Sequence, residues 1–347
     1  MKRGNTMKRL LYFDWLRILA AVAVVVIHVS AGVVTDRSQN YTSPWMAGNF
    51  YESLSRWAVP MFVMISGALM LSSRREIPTA EFLKKRMGKI VIPLLIWSVI
   101  YYANEVRKGA YSFSMSDFVE RLATGDIMYH LWFLYMIAGL YLITPLLKVL
   151  VRNAKRTDIE YFLILWLIAS VIMHWMTYMV GYRIEIELFF VSHYVGYYML
   201  GYYLFTYDLR PAVRKLIYAG GLAGWLITFF MTYRGSVSSD DPLEYFWYDE
   251  HSPNVFLITI ALFVLFKYTA VGRTPLPWVG KVISEASFGI YLIHVLVMQT
   301  LHEKFDFVWF NLHPAIGIPY KTVLVVAIST ILVYIIKKVP VLRGMIP

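Results

Sequence analysis

Apolar runs long enough to cross a lipid bilayer recur from one end of this 347-residue chain to the other. A spanning helix needs about 20 apolar residues, and only helices and closed barrels satisfy their backbone hydrogen bonds in hydrocarbon. We predict an all-α polytopic integral membrane protein with about ten transmembrane helices. The predicted spans lie near Leu10–Val34, Phe50–Leu71, Lys89–Val106, Leu131–Val151, Glu160–Val180, Leu188–Phe205, Val213–Tyr233, Val255–Tyr268, Val282–Leu301 and Ile316–Ile336.

Composition and charge agree with this class. The chain is 59% hydrophobic and 16% charged, whereas soluble domains carry about 25% charged residues. Lys and Arg are concentrated at both termini and in every second connection, and acidic residues are grouped in the alternate connections. This positive-inside pattern predicts that both termini are cytoplasmic. It also accounts for most of the net charge of +11, so we expect membrane lipids as partners and no nucleic acid.

The first predicted span carries three charged or ionisable residues on one helical face. At about 100° per residue, Asp14, Arg17 and His28 share nearly the same azimuth, and Arg17 and His28 are about 16 Å apart along the axis. An arginine in hydrocarbon costs at least about 2.5 kcal/mol, so such residues usually mark a pathway or a site. A structural alternative is an Asp14–Arg17 pair that neutralises both groups.

A second polar stripe follows the ninth predicted span, where Ser284, Ser287, Tyr291 and His294 recur at offsets of three, four and three. His130 begins the fourth span, at the same predicted depth as His28 and His294. The three histidines are therefore expected to converge toward the exterior. For His130 and His294 taken singly, a hydrogen bond to a neighbouring helix is the commoner role of such a residue. His174 and His193 show no supporting pattern and are interpreted as structural.

Several chemistries are excluded or disfavoured by the sequence. The chain has no cysteine, which excludes disulfides, thiolate metal sites and an acyl-cysteine intermediate. Three histidines are enough for zinc in number, but their spacing matches no known zinc motif, and we expect no metal. A phosphate-binding glycine loop is absent. Internal repeats and broken-helix signals, which are typical of transporters, are also absent.

Five sequence blocks resemble the integral-membrane acyltransferase family 3, and together they extend from Phe13 to His294. The blocks are Phe13–Arg17 followed after ten residues by His28, Arg56–Gly67, Phe82–Arg86 leading to Ile92-Pro93, His130–Phe133, and Ser287–His294. Members of this family transfer acyl groups from coenzyme A to extracytoplasmic glycans. The resemblance implies a single membrane-embedded acyltransferase domain over residues 1–347, in a bacterial cell membrane. The chain is similar to stand-alone enzymes that O-acetylate enterobacterial common antigen or secreted polysaccharide.

The resemblance also implies roles for the polar residues. Arg17, Lys84, Lys85, Arg86 and Lys89 would bind cytoplasmic acyl-CoA, most simply acetyl-CoA, as a co-substrate and not as a permanent cofactor. His28 would act as general base, with Arg17 steadying the thioester and Asp14 orienting Arg17. An acyl-histidine intermediate on His28 is equally compatible. The acceptor, an extracytoplasmic glycan or lipid-linked sugar, would be bound by His130, Trp132, Ser287, Tyr291 and His294.

One alternative function uses the same polar stripe. In a transporter or flippase for a polyprenyl-linked glycan, Arg17 and His28 would line a passage for the anionic headgroup. The missing repeats and broken-helix signals count against it, and a receptor-like or scaffolding protein is a weaker third option. Turnover of acyl-CoA discriminates between the two main classes.

Overall fold

The architecture was analysed in a computed structural model, which describes residues 3–36, 41–75, 77–181, 188, 191–238, 243–305 and 312–346. Within these ranges the chain is predominantly helical and no strand occurs, which confirms the predicted all-α class. The helices are α1 (Arg3–Val34), α2 (Ser43–Ser55), α3 (Ala58–Leu71), α4 (Thr79–Arg107), α5 (Met115–Thr124), α6 (Trp132–Asn153), α7 (Arg156–Trp166), α8 (Met173–Val180), α9 (Tyr194–Thr206), α10 (Pro211–Ser238), α11 (Pro253–Tyr268), α12 (Trp278–Phe305) and α13 (Pro314–Lys338).

Nine segments among the described residues are long and apolar enough to cross a membrane. They are Leu11–Val34, Ser43–Leu71, Thr79–Arg107, Tyr129–Asn153, Arg156–Val180, Pro211–Val237, Phe246–Tyr268, Trp278–Lys304 and Pro314–Lys338. The remaining predicted span, Leu188–Phe205, corresponds to α9, whose 13 residues are too few to cross a bilayer as one helix. Residues 182–187 and 189–190 before it lie outside the described ranges.

One end of the bundle, called the near end, holds the start of α1 and the end of α13. The indole Nε1 of Trp15 donates to the carbonyl of Thr274, just before α12, at 2.9 Å. Lys337 Nζ, in the last turn of α13, donates to the carbonyl of Glu285 at 2.9 Å. The first and last spans therefore begin and end on the same side of the bundle, as the charge pattern requires of the two termini.

The opposite end, called the far end, holds the end of α1, the start of α2, the end of α12 and the start of α13. Arg107 at the end of α4 pairs with Glu303 of α12 at 2.7 Å. Ser43 Oγ at the start of α2 lies 3.0 Å from His313 Nε2, which precedes α13. The spans thus alternate in direction between two defined faces.

Two of the spans are interrupted, although the sequence was predicted to carry no broken-helix signal. The second span divides at Arg56 and Trp57 into α2 and α3. Pro60 lies in the first turn of α3, where the missing amide hydrogen costs little. The fifth span contains a π-helical segment, Leu167–Ile172, between α7 and α8, and such segments are frequent at functional sites. The sequence prediction was wrong because Pro60 alone does not fix where the helix stops.

Glycines allow α3 and α9 to approach closely. A methyl group added at Gly67 would lie 1.9 Å from the backbone oxygen of Tyr198, and one added at Gly201 would lie 2.0 Å from that of Met64. Small residues at such crossings let membrane helices pack backbone to backbone. This contact holds the short helix α9 against the interrupted second span.

Candidate active site

A cavity of about 380 Å³ lies at the centre of the bundle. Its walls come from α1, α3, α4, α6 and α12, and its apolar lining includes Val59, Phe62, Leu69, Phe133 and Phe288. This central cavity also exposes a row of polar groups, namely Arg17, His28, Arg56, Ser66, Arg86, His130, Tyr141, Glu250, Ser287 and Tyr291. A mostly apolar pocket with a few convergent polar groups is the usual form of a small-molecule site.

Arg17 marks the part of the central cavity closest to the near end. Its Nη1 donates to Asp14 Oδ1 at 2.8 Å, and both side chains remain about one-third exposed. Ser284 Oγ of α12 donates to the same carboxylate oxygen at 3.4 Å, a weak contact. Asp14 and Arg17 thus form the pair that both the orienting role and the structural alternative expect, while the guanidinium keeps an exposed surface.

The basic run on α4 divides into two faces. Arg86 is half-buried and lines the central cavity, as Ile90 does one turn later. Lys84, Lys85 and Lys89 are exposed and do not line it, and Lys85 lies 4.0 Å from Glu81. Only Arg86 of the four predicted donor-binding residues on this helix therefore joins Arg17 at the cavity wall.

The imidazole of His28 is surrounded by rings from two other helical segments. It stacks on His294 of α12 with the centroids 5.1 Å apart and an interplanar angle of 27°. Tyr129 lies 5.1 Å away at 55°. His294 Nδ1 lies 2.7 Å from the carbonyl of Tyr291 and 3.1 Å from that of Ile290, so this nitrogen carries the hydrogen. The His294 ring is thereby fixed, and it holds one face of His28.

His130 completes the predicted convergence of three histidines. Its ring lies 5.3 Å from that of His294 and 5.6 Å from that of Tyr291, both edge-on. The Tyr291 hydroxyl donates to the backbone carbonyl of His130. The 3₁₀ turn Tyr129–Leu131 that carries His130 is therefore attached to α12.

The other two predicted acceptor residues also line the central cavity. Ser287 is buried, and its Oγ donates to the carbonyl of Ser284 at 2.9 Å. Trp132 is partly exposed and packs 5.7 Å from the Tyr194 ring of α9. Every predicted acceptor residue except His294 faces the cavity directly, and His294 reaches it through His28.

A second cavity, of about 510 Å³, opens from the far end. This far cavity is lined by Ala31, Thr35, Glu52, Tyr129, Leu243 and Tyr245. It shares three residues with the central cavity, which are Ile27, His28 and Arg56. The His28 imidazole therefore stands where a space reached from the near end meets a space reached from the far end.

Glu52 and Arg56 were not predicted as site residues. They form an ion pair one helical turn apart, at the point where the second span is interrupted. Glu52 is fully buried and also accepts a hydrogen bond from Ser30 of α1. Arg56 lay within a block that resembles the known family, and a buried arginine in a span was itself a signal. Glu52 could be found from its i, i+4 spacing to Arg56.

The three histidines do not form a metal site in this structure. Among the residues described, no group of three or more His, Asp or Glu side chains is placed to hold a metal ion. The rings of His28, His130 and His294 stack and meet edge to face. Such packing does not direct three nitrogens at one point, as a tetrahedral site requires.

Comparison with known proteins gives one match. A protein-family model described as "Acyltransferase domain", of acyltransferase family 3, matches residues 10–337, which is nearly the whole chain. Neither the curated proteins nor the solved structures contain a significant match. The matched range includes every residue of both cavities.

Proposed function

The chain belongs to acyltransferase family 3 and is a membrane-embedded acyltransferase, and we propose that it transfers an acyl group, acetyl in the simplest case, from acyl-CoA to a hydroxyl of an extracytoplasmic glycan or lipid-linked sugar. The observation that carries this proposal is the position of His28, which lines both the central cavity and the far cavity. A donor and an acceptor that come from opposite sides of a membrane must meet at such a point.

The donor enters from the near end, which we assign to the cytoplasm. Coenzyme A is a polyanion, and guanidinium groups bind phosphate in bidentate geometry. Arg17 and Arg86 line the cavity there, and the exposed Lys84, Lys85 and Lys89 follow on the outside of α4. The pantetheine arm then extends through the apolar part of the central cavity and carries the thioester toward His28.

The acceptor hydroxyl enters from the far end, which we assign to the extracytoplasmic side. The far cavity presents Tyr129 and Tyr245, and aromatic rings of this kind offer apolar faces with polar edges to a ligand. The tyrosine lining supports a sugar acceptor, and the opening toward the far end supports its arrival from outside. This assignment replaces the expectation that Trp132, Ser287 and Tyr291 bind the acceptor, because these residues line the central cavity and not the far cavity.

His28 acts as the general base in this proposal. Its neutral imidazole takes the proton of the acceptor hydroxyl while the hydroxyl oxygen attacks the carbonyl carbon of the thioester. The π electrons of the C=O bond then move to the carbonyl oxygen, which becomes the oxyanion. The tetrahedral intermediate then collapses, the carbon–sulfur bond breaks, and the thiolate takes the proton from His28. The products are an ester and free CoA, and His28 returns to its neutral form. In an acyl-histidine route, neutral His28 would first attack the thioester and release CoA as the thiolate; the acceptor hydroxyl would then displace the imidazole from the acyl group and give its proton to the thiolate.

Radiolabelled acetyl-CoA tests the proposal in the purified protein. An acyltransferase releases CoA and passes the label to water or to an added glycan fraction, whereas a transporter does neither. Label retained on the protein after a rapid quench at neutral pH, and then released by acid or by hydroxylamine, would indicate the acyl-histidine route, because an acyl-imidazole is labile to both. A protein that binds acetyl-CoA but never turns it over under any acceptor condition would contradict the proposed reaction.

A further inference from the structure

We infer that Arg56 is a catalytic residue, and that its guanidinium binds the oxyanion that forms on the acyl carbonyl during transfer. The inference rests on the proposed function, because it requires a thioester carbonyl beside His28. It adds to the proposed site a residue that does not belong to the polar face of α1 formed by Asp14, Arg17 and His28. Three observations carry it: the place of Arg56 between the cavities, the contacts that hold it, and its spare hydrogen-bond donors.

The two cavities meet at few residues. Of the residues that line both of them, Ile27 is apolar, and His28 and Arg56 are polar. The reacting carbonyl must lie where donor and acceptor spaces join, so these two side chains are the ones that reach it from the protein. If His28 takes the proton of the acceptor hydroxyl, Arg56 is the remaining polar side chain that can contact the carbonyl oxygen.

The Arg56 side chain is held rigidly before any ligand binds. Its Nη2 donates to Glu52 Oε1, and the other carboxylate oxygen of Glu52 accepts from Ser30. Its guanidinium carbon lies 4.3 Å from the centre of the Tyr248 ring, a cation–π contact. Tyr248 in turn donates from its hydroxyl to Asn49 Oδ1 at 2.6 Å. Such support on two sides is what a preorganised donor needs.

The same group keeps donors that its neighbours do not use. A guanidinium has five N–H bonds, and within the described chain Arg56 donates a hydrogen bond only from Nη2, to Glu52, while 16% of its side-chain surface remains exposed. A donor that is neither paired nor fully covered can bind an oxygen atom that enters the cavity. Its pairing with Glu52 removes the net charge in the resting state but leaves these N–H groups in place.

Two other hydrogen-bond donors close to His28 are already engaged with backbone oxygens. The hydroxyl of Tyr291 donates to the carbonyl of His130, and Nδ1 of His294 donates to backbone carbonyls. Their engagement with backbone oxygens favours Arg56 as the group that binds the oxyanion.

Arg56→Gln and Arg56→Lys test the inference with acetyl-CoA as the probe. Because the chain has no cysteine, a thiol reagent reports released CoA without background from the protein. Removing one oxyanion donor lowers kcat by about 10²–10³-fold, and the donor KM stays unchanged because the interaction forms only in the transition state. Arg56→Lys keeps the charge beside Glu52 but loses the planar donors, so it should be almost as impaired.

Arg210→Ala is the matched control, since Arg210 is an exposed arginine at the near end, outside both cavities. It should retain wild-type turnover. A further readout is rescue of Arg56→Ala by millimolar guanidinium and not by ammonium, which a merely structural role would not produce. If Arg56→Gln does not fold, the kcat of Arg56→Lys and the guanidinium rescue of Arg56→Ala decide whether Arg56 binds the oxyanion.

Two results would overturn the inference while leaving the proposed function intact. One is near wild-type kcat in Arg56→Lys and Arg56→Gln while His28→Ala is inactive. The other is a raised donor KM with unchanged kcat, which would make Arg56 a ground-state binding residue. Absence of acetyl-CoA turnover in the wild-type protein would instead count against the proposed function itself.

Discussion

The imidazole rings of His28 and His294 stack face to face, with their centroids 5.1 Å apart. The two residues lie on different helices, α1 and α12, 266 positions apart in sequence. His294 is anchored by its Nδ1 hydrogen to the carbonyls of its own helix. The stacking therefore holds the His28 ring, which we assign as the general base, in a fixed orientation relative to α12.

The first prediction concerns His294. His294→Ala removes the ring that supports His28 but no reacting group, so acyl transfer should fall by less than in His28→Ala. The measurement is kcat for acetyl-CoA turnover in both variants. His174→Ala is the comparison, because His174 contacts Asp249 at 3.5 Å and lies outside both cavities. The His174→Ala substitution should lower kcat only slightly. A loss in His294→Ala equal to that in His28→Ala would mean that His294 takes part in proton transfer.

The second prediction concerns the donor. Arg17→Ala and Arg86→Ala each remove a guanidinium from the near part of the central cavity, so the Kd for acetyl-CoA should rise. The loss of a charged hydrogen bond is worth about 1.5–3 kcal/mol, which is about 10-fold or more in affinity. Equilibrium binding of labelled acetyl-CoA measures it, with Arg210→Ala as control. An unchanged Kd in the double variant would remove the donor-binding role from both arginines.

The third prediction concerns sidedness. The absence of native cysteine allows single reporters to be introduced at exposed small residues in the connections. Ala110→Cys lies at the far end after α4, and Ala270→Cys lies at the near end after α11. In intact cells, a membrane-impermeant maleimide should label Ala110→Cys and leave Ala270→Cys unlabelled until the membrane is opened. The reverse pattern would invert the assigned topology.

The fourth prediction concerns the contact between α3 and α9. Gly67→Ala places a methyl group 1.9 Å from the backbone oxygen of Tyr198, so the helices must separate. Overpacking of this kind costs typically about 1–3 kcal/mol, and Tm should fall. Gly139→Ala in α6 is the matched control, because an added methyl there meets nothing within 4 Å. Equal Tm values for the two variants would contradict the close helix crossing.

Much of the fold follows from local sequence. Apolar length alone located nine spans that the structure describes, because hydrocarbon forces the backbone into helices. The interruption at Arg56 and Trp57 could not be predicted from the sequence. Pro60 is tolerated both in the first turn of a helix and inside a kinked helix, so its presence does not show that a new helix begins there. The shortness of α9 also escaped prediction. The close packing of α9 on α3 was not predicted either, because it depends on Gly67 and Gly201 lying against backbone oxygens of the facing helix.

The site, like the fold, could be predicted from the sequence only in part. Helical periodicity placed Asp14, Arg17 and His28 on one face; the structure shows Asp14 and Arg17 in contact at 2.8 Å and Arg17 and His28 lining one cavity. Periodicity could not tell which lysines of α4 face inward, because that depends on how α4 is rotated against α6. Nor could it reveal that Arg56 adjoins His28, since the two meet only through the packing of α1 against the second span.

The most direct test of the central claim is acetyl-CoA turnover by His28→Ala, with acetyl-CoA binding measured on the same preparation. A general base contributes about 10²–10⁴-fold, so turnover should fall at least 10²-fold while the Kd for acetyl-CoA stays at the wild-type value. Near wild-type turnover in His28→Ala would contradict the claim that donor and acceptor meet at this histidine.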